Sequence, residues 1–177
     1  MYETGSDVAL RAPKRHDLAA LLALSNAHER EIGTIARQAF EELVAMSFRT
    51  RMTETADAFL VALVERAPKV APNYRWFAER LEHFVYVDRV VVAQSARQRG
   101  LGRRLYRDLM EAAAGADFKF VCCEVNVDPP NPVSDAFHAA LGFAEIGRAF
   151  LPHLGKTVRY LTRELEEGLR KTVPPSP

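Results

Sequence analysis

Short runs of apolar and β-branched residues alternate with helical periodicities along this chain. Strands are predicted at "VALR" (8–11), "HFVYVDRVVVA" (83–93), "FKFVCCEVNV" (118–127), "FAEIGRAF" (143–150) and "KTVRYLTREL" (156–165). "DAFLVALVE" (57–65) also reads as a strand, although its Ala and Leu leave a helix open. Residues 17–29 place Leu18, Leu21, Leu22 and Ser25 on one helical face. A second helix over 34–48, with Thr34 as its cap, carries a less regular stripe of Ile35, Phe40, Leu43 and Val44. "RAPKVAPNY" (66–74) is a proline-punctuated loop, and "NYRWFAERL" (73–81) a helical turn. Leu101, Leu105, Leu109 and Ala112 or Ala113 recur at helical spacing, with Arg103, Arg104, Arg107, Asp108 and Glu111 mostly on the other faces. A last helix spans 134–141 and ends at Gly142.

Early helices followed by strand–helix–strand–helix–strand–strand predict a mixed α/β domain. Its central sheet is flanked by helices and closed by an antiparallel pair, which makes it α+β-like. One domain over residues 1–165 is expected, with a polar, proline-rich tail over 166–177 that frays.

Composition narrows the function without naming it. At 177 residues, 48% apolar and 27% charged, the chain has the makeup of a globular domain. A formal charge of +1 gives no global field for nucleic acid or a membrane surface. No apolar run is long enough to span a bilayer, and the first residues lack the pattern of a secretory signal. Cys122 and Cys123 are adjacent in a strand, so their side chains point to opposite faces and cannot bridge. Buried, reduced thiols and a cytoplasmic setting are the expectation.

The stretch "VVVAQSARQRGLGRRLYRDLM" (90–110) carries the chemistry. A strand breaks into a basic loop with two glycines, which opens onto a helix. A dinucleotide fingerprint would need a third glycine where Leu105 stands, and a Walker loop would need Lys followed by Ser or Thr. What remains is R-x-x-G-x-G: Arg97, Gly100 and Gly102. Glycines admit an anion close to the backbone, and successive N–H groups at a helix start present partial positive charge. The guanidinium groups of Arg97, Arg99, Arg103 and Arg104 suit phosphate oxygens. A pyrophosphate-sized anion is the expected guest.

This segment resembles the coenzyme A pyrophosphate motif of the GNAT acetyltransferase superfamily. A second segment, "NPVSDAFHAALGFAEIG", resembles the superfamily's N-x-x-A-x-x-x-Y-x-x-x-G-F, with Asn131, Ser134 and Gly142–Phe143 on matching positions and His138 on the tyrosine. "NYRWF", "DRVVV", "CEVNVDPPNPVSDAFH" and "KTVRYL" are similar to a group of bacterial acetyltransferases of unassigned substrate. The resemblance implies a GNAT fold with six to seven mostly antiparallel strands, two of which splay to admit acetyl-CoA. It also implies acetyl transfer to a primary amine by direct attack in a ternary complex. Main-chain groups of Val90, Val91 and Val92 would meet the pantetheine and the thioester carbonyl. Amides from Gln98, Arg99, Gly100, Leu101, Gly102 and Arg103 would hold the pyrophosphate, and Asn131 the pantetheine arm.

Two proton transfers remain. An alkylammonium in water has a pKa of about 10, so a base must take its proton. Glu124 and Asp88 are the candidates, with a salt bridge to Arg89 or another surface base as the alternative for either. His138 either protonates the departing thiolate or packs near it. His16, His28, His83 and His153 show no ligand spacing, so no metal is expected. Tyr74, Trp76 and Phe77 either line the acceptor pocket or anchor the core. The acceptor would be a small-molecule or peptide amine, and a homodimer is compatible with the sequence. A non-catalytic acyl-CoA sensor of the same fold is the competing reading, since it needs the loop but neither base nor acid.

Overall fold

The computed structural model describes residues 8–64 and 71–166. Part of the proline loop, at 66–70, and the tail from 167 onward lie outside the described residues. Seven strands form one sheet in the order β1-β2-β3-β4-β5-β7-β6. They are β1 (Leu10–Arg11), β2 (Arg49–Thr53), β3 (Ala58–Val64), β4 (Phe84–Val92), β5 (Phe120–Asp128), β6 (Ala144–Leu151) and β7 (Lys156–Glu164). Every neighbouring pair is antiparallel except β4 and β5.

The helices divide between the two faces. α5 (Leu101–Gly115) and α6 (Pro132–Ala140) cover one, where Leu101, Leu105, Leu109 and Ala113 meet Val85, Val87, Val121 and Cys123. α1 (Leu18–Asn26), α3 (Arg37–Met46) and α4 (Pro72–Ala78) cover the other through Leu21, Phe40, Leu43, Tyr74 and Phe77. Cys122 faces this second side and Cys123 the first, both buried and free, as the strand period requires. Asp108 on α5 accepts two hydrogen bonds from Arg49 of β2, at 2.6 and 2.8 Å, which fixes the helix across the sheet.

Three local departures from the sequence pattern have identifiable causes. The first predicted helix stops at Asn26, and a short α2 (Glu29–Ile32) follows after a turn. The Asn26 side chain exchanges hydrogen bonds with both backbone groups of Ile35, at 2.9 and 3.1 Å. That exchange holds Ile35 outside the next helix, so α3 starts at Arg37 behind Ala36 and Thr34 does not cap it. Helix α4 extends the expected turn back to Pro72, a residue with no N–H to lose at a first helical position.

Trp76 of α4 lies flat on Tyr160 of β7, with ring centroids 4.0 Å apart and planes 17° off parallel. A Cβ at Gly147 of β6 would sit 2.6 Å from Trp76 Cζ2. The indole is held between Tyr160 and the Arg80 guanidinium, so yielding to the Cβ would disturb both contacts. Gly147→Ala is therefore expected to displace α4 and to destabilise the fold by about 1–3 kcal/mol, read from urea denaturation.

Candidate functional site

The site begins with a fault in the sheet. β3 and β4 shift register between Val61 and Ala62, which face Arg89 and Val87 and leave Asp88 as the extra residue of a bulge. Before it, Phe84 and Tyr86 face the α1/α3/α4 side; after it, Val91 does, and Val90 and Val92 turn to the α5 side. β4 and β5 are paired from Phe84↔Phe120 to Tyr86↔Cys122 and then part. Each arm keeps its outer partner, β3 as far as Ala58↔Val92 and β7 as far as Asp128↔Thr157. A wedge opens between two rigid arms, and the β5-facing main-chain edge of Val90 to Val92 lines it.

Glu124 stands at the apex of that wedge, two residues beyond the last paired position on β5. Its Oε1 accepts from Asn73 Nδ2 of α4 at 2.9 Å and from the Tyr86 hydroxyl at 3.2 Å. Its Oε2 is sealed from solvent and has no hydrogen-bond partner among the described residues. Burial pushes the carboxyl up to about 7; the Tyr86 hydrogen bond opposes this, the charge of Asp88 adds to it, and the Asn73 hydrogen bond again opposes it. Asp88 itself accepts from Arg89 Nε at 2.8 Å, and the buried Arg89 donates on to Ser25 Oγ of α1 at 2.8 Å. The bulge carboxylate is thus committed to an internal ion pair.

An unpaired buried carboxyl has a thermodynamic signature. Its folded-state pKa lies above the ordinary 4.5, so the folded chain holds the proton more tightly than the unfolded one. Stability from this group is full below pH 4.5, falls as pH rises to about 7, and is level above. Glu124→Gln carries no such penalty. Relative to the wild type it is expected to gain up to about 3 kcal/mol between pH 4.5 and 8, seen by comparing urea midpoints across that range.

Beyond Val92 the chain makes one 3-10 turn, Gln94–Ala96, and enters the basic loop. Gln98 and Gly100 both adopt left-handed conformations, at φ +64° and +74°. Alternating left-handed residues turn successive N–H groups toward one concavity. Helix α5 begins at Leu101 with no side-chain cap, so its first amides add to the same pole. Arg97 and Arg103 are exposed beside it, whereas Arg99 pairs with Asp57 at 3.3 Å. Gly102 is tightly approached: a Cβ there would lie 3.0 Å from Phe137 Cζ of α6. A cavity of about 490 Å³ adjoins the loop, between Leu24, Ala27, His28 and Glu31 on one side and Ala93, Gln94 and Arg97 on the other. Asn126 of β5 and Lys156 of β7 hold its α2 wall through the Glu31 and Arg30 carbonyls, each at 3.1 Å.

His138 lies under α6, buried among Tyr106, Phe137 and Phe143, all roughly edge-on to its ring. Its Nδ1 is 2.8 Å from the Ser134 carbonyl and its Nε2 2.8 Å from the Tyr106 hydroxyl. A carbonyl only accepts, so Nδ1 carries the hydrogen and Nε2 accepts from the phenol. Burial depresses the imidazole's pKa, which favours this neutral form. Asn131 Oδ1 accepts from Ser134 N at 3.2 Å and caps α6, leaving its NH₂ for other partners. Tyr74 is buried and donates to the Val64 carbonyl at 2.8 Å; Trp76 is held between Tyr160 and the Arg80 guanidinium, 4.3 Å from the ring centroid. Tyr86, Asn73, Asn126 and Tyr160 join the site without having been singled out by sequence. Asn73, Asn126 and Tyr160 lie in the segments "NYRWF", "CEVNVDPPNPVSDAFH" and "KTVRYL" that carry the resemblance, but nothing in those segments marked them for a role. Among the described residues no group of three or more His, Cys, Asp and Glu side chains is placed to hold a metal.

A sheet opened beyond a bulge, with an uncapped basic helix start at its mouth, is the architecture of the GNAT fold. Residues 70–143, from α4 to the end of α6, match the acetyltransferase (GNAT) family. No curated protein has a matching sequence. Among solved structures, the fold is similar to the ribosomal-protein-S18-alanine N-acetyltransferase of Escherichia coli, at 14% identity and a TM-score of 0.66, covering 89% of this chain and 93% of that one. It is similar to Salmonella typhimurium yncA, solved with its cofactor acetyl-CoA, at 17% identity and 0.67, covering 97% and 99%. It is likewise similar to Arabidopsis thaliana NAA60 in complex with a bisubstrate analogue, at 12% and 0.70, covering 89% and 97%. The likeness to the family is thus carried by residues 70–143, and the solved structures share the fold over most of the chain. No helix among the described residues is long and apolar enough to cross a membrane.

Proposed function

We propose that this protein transfers an acetyl group from acetyl-CoA to a primary amine, with Glu124 as the general base. The observation that carries the reading is Glu124 Oε2, buried and unpartnered at the apex of the β4–β5 wedge. The donor set fits the cofactor. The free edge of Val90 to Val92 offers main-chain groups to an extended amide chain. The Gln98–Gly100 nest and the α5 start suit a diphosphate, and the Asn131 NH₂, not used by its cap on α6, would serve the pantetheine arm. Acetyl-CoA, when bound, supplies the thioester.

The chain's own residues then manage orientation and protons. The wedge brings the amine and the acyl carbon together, which removes much of the entropic barrier to a direct reaction. Main-chain N–H groups of the β4 edge stabilise charge developing on the carbonyl oxygen. Glu124 Oε2, sealed from solvent in the unliganded fold, takes one proton directly from the acceptor ammonium and gives it up to solvent when the product leaves. The nitrogen sheds its second proton as the N–C bond forms and the C–S bond breaks, and this proton neutralises the sulfur. A thiol pKa of about 8.5 makes thiolate a tolerable leaving group near neutrality, so no dedicated acid is required. His138, with both nitrogens engaged, is assigned to the core as the anchor of α6 on α5. Asp88 is assigned to the Arg89 ion pair, and Tyr74 and Trp76 to the packing of α4.

Calorimetry with acetyl-CoA and its consumption across a panel of small amines and peptide N-termini test the proposal together. Binding with turnover supports it. Absence of binding defeats the cofactor assignment, and binding without turnover on any amine favours the sensor reading.

A further inference from the structure

The Glu124 carboxyl is not held symmetrically. Both hydrogen bonds it receives from the described residues, from Asn73 Nδ2 and the Tyr86 hydroxyl, fall on Oε1, and none reaches Oε2. Asn73 is in turn held by Tyr160, whose hydroxyl is 3.1 Å from Asn73 Oδ1. Tyr160 is the cross-strand partner of Glu124 in the β5–β7 pairing. Its ring lies against Trp76, so the same side chain fixes the attitude of α4 and the orientation of the Asn73 amide.

We infer that Asn73 and Tyr160 are a positioning pair for the base, which occupies Glu124 Oε1 and leaves Oε2 as the oxygen that takes the acceptor's proton. The inference rests on the assignment of Glu124 as the base. The chemistry of the groups sets the direction of each bond. An ionised carboxylate only accepts, so the amide must turn its NH₂ toward Glu124 and its oxygen toward Tyr160, whose hydroxyl then donates. With two donors on Oε1, both lone pairs of that oxygen are engaged, and an incoming proton goes to Oε2. Without the Tyr160 hydroxyl the amide loses the contact that prevents it from turning over. Without Asn73, Oε1 keeps only the longer bond from Tyr86, and the carboxylate loses a donor that favours its charged form.

The charged and titratable groups that bear on the carboxyl are Asp88 and Tyr86 of β4, Cys123 beside it on β5, Tyr106 of α5, and Tyr160 of β7 facing it across the strands. Neither Asn73→Ala nor Tyr160→Phe alters Asp88 or Tyr86, and Tyr160→Phe retains the ring that stacks on Trp76. This separates the hydroxyl from the packing.

The test is a carbon-13 NMR titration of the Glu124 carboxyl in the whole chain, assigned by its loss in Glu124→Gln, with kcat/KM against pH once an acceptor is in hand. The wild type is expected to titrate near 7. Asn73→Ala should titrate about one unit higher, Tyr160→Phe higher by a smaller step, and the acid limb of kcat/KM should move with both. The kcat plateau of Asn73→Ala should fall on the order of tenfold with acetyl-CoA affinity unchanged. If both variants titrate as the wild type does and lose only thermal stability, the pair is structural and the inference is overturned. If instead Glu124→Gln keeps full turnover, the base assignment fails, whatever the titrations of the other variants.

Discussion

Glu124→Gln is expected to lower kcat by about 10²–10⁴-fold while leaving acetyl-CoA affinity within a few-fold of the wild type, the range typical for loss of a general base. Glutamine matches the carboxylate in shape and keeps an oxygen for Asn73 and Tyr86, so the apex of the wedge stays packed. It places an NH₂ where Oε2 was, and that group cannot accept a proton. Stopped-flow or steady-state thiol release measures kcat, and calorimetry measures the cofactor. Asp88→Asn is the informative comparison. Asp88 is bonded to Arg89 at 2.8 Å, and its loss would leave a buried guanidinium short of its partner. Its cost should therefore appear mainly in stability. A Glu124→Gln enzyme within fivefold of wild-type kcat would move the base elsewhere. The same substitution should stabilise the fold above pH 7, so a gain in stability with a loss of turnover is the combined signature of a carboxylate kept for chemistry.

Gly102→Val should weaken acetyl-CoA binding on the order of a hundredfold, ~3 kcal/mol, without unfolding the domain. The site of the added Cβ is 3.0 Å from Phe137 Cζ, the far end of a ring that can yield a little. Alanine is the milder change for that reason. The branched γ carbons of valine need more space than the ring can give, on a helix pinned by the Asn131 cap and the His138–Tyr106 bond. They must turn instead toward the concavity made by Gln98, Gly100 and the first amides of α5, where they hold an anion off the backbone. Titration calorimetry reads the loss, and an unchanged far-ultraviolet dichroism spectrum shows that α5 persists. Undiminished affinity would place the diphosphate away from this loop.

The structure divides these features by how local their causes are. The strands, the α5 stripe and the loop's affinity for an anion come from residues within a few positions of one another, and the pattern of the chain exposes them. The bulge at Asp88 is hidden, because valines on both sides of it satisfy either face and alternation loses its phase there. His138 occupies a motif position where sequence supports acid and anchor equally. The decision lies with Tyr106, a hydrogen-bond partner 32 positions away in the chain. Thr34 reads as a helix cap until the Asn26 side chain fixes Ile35 from nine positions upstream.

By itself, then, the sequence determined six of the seven strands, the opposite facing of Cys122 and Cys123, and the basic glycine loop that opens a helix, while β2 (Arg49–Thr53) carried no strand signal of its own. Only the tertiary structure decided which carboxylate is free and which is paired. Asp88 finds Arg89 beside it, whereas Glu124 is enclosed by Tyr86, Asn73 and Tyr160, brought from three other elements. Backbone periodicity and glycine freedom are local properties of the chain. The ionisation of a carboxyl depends on which donors, charges and solvent surround it, and folding alone assembles that surrounding.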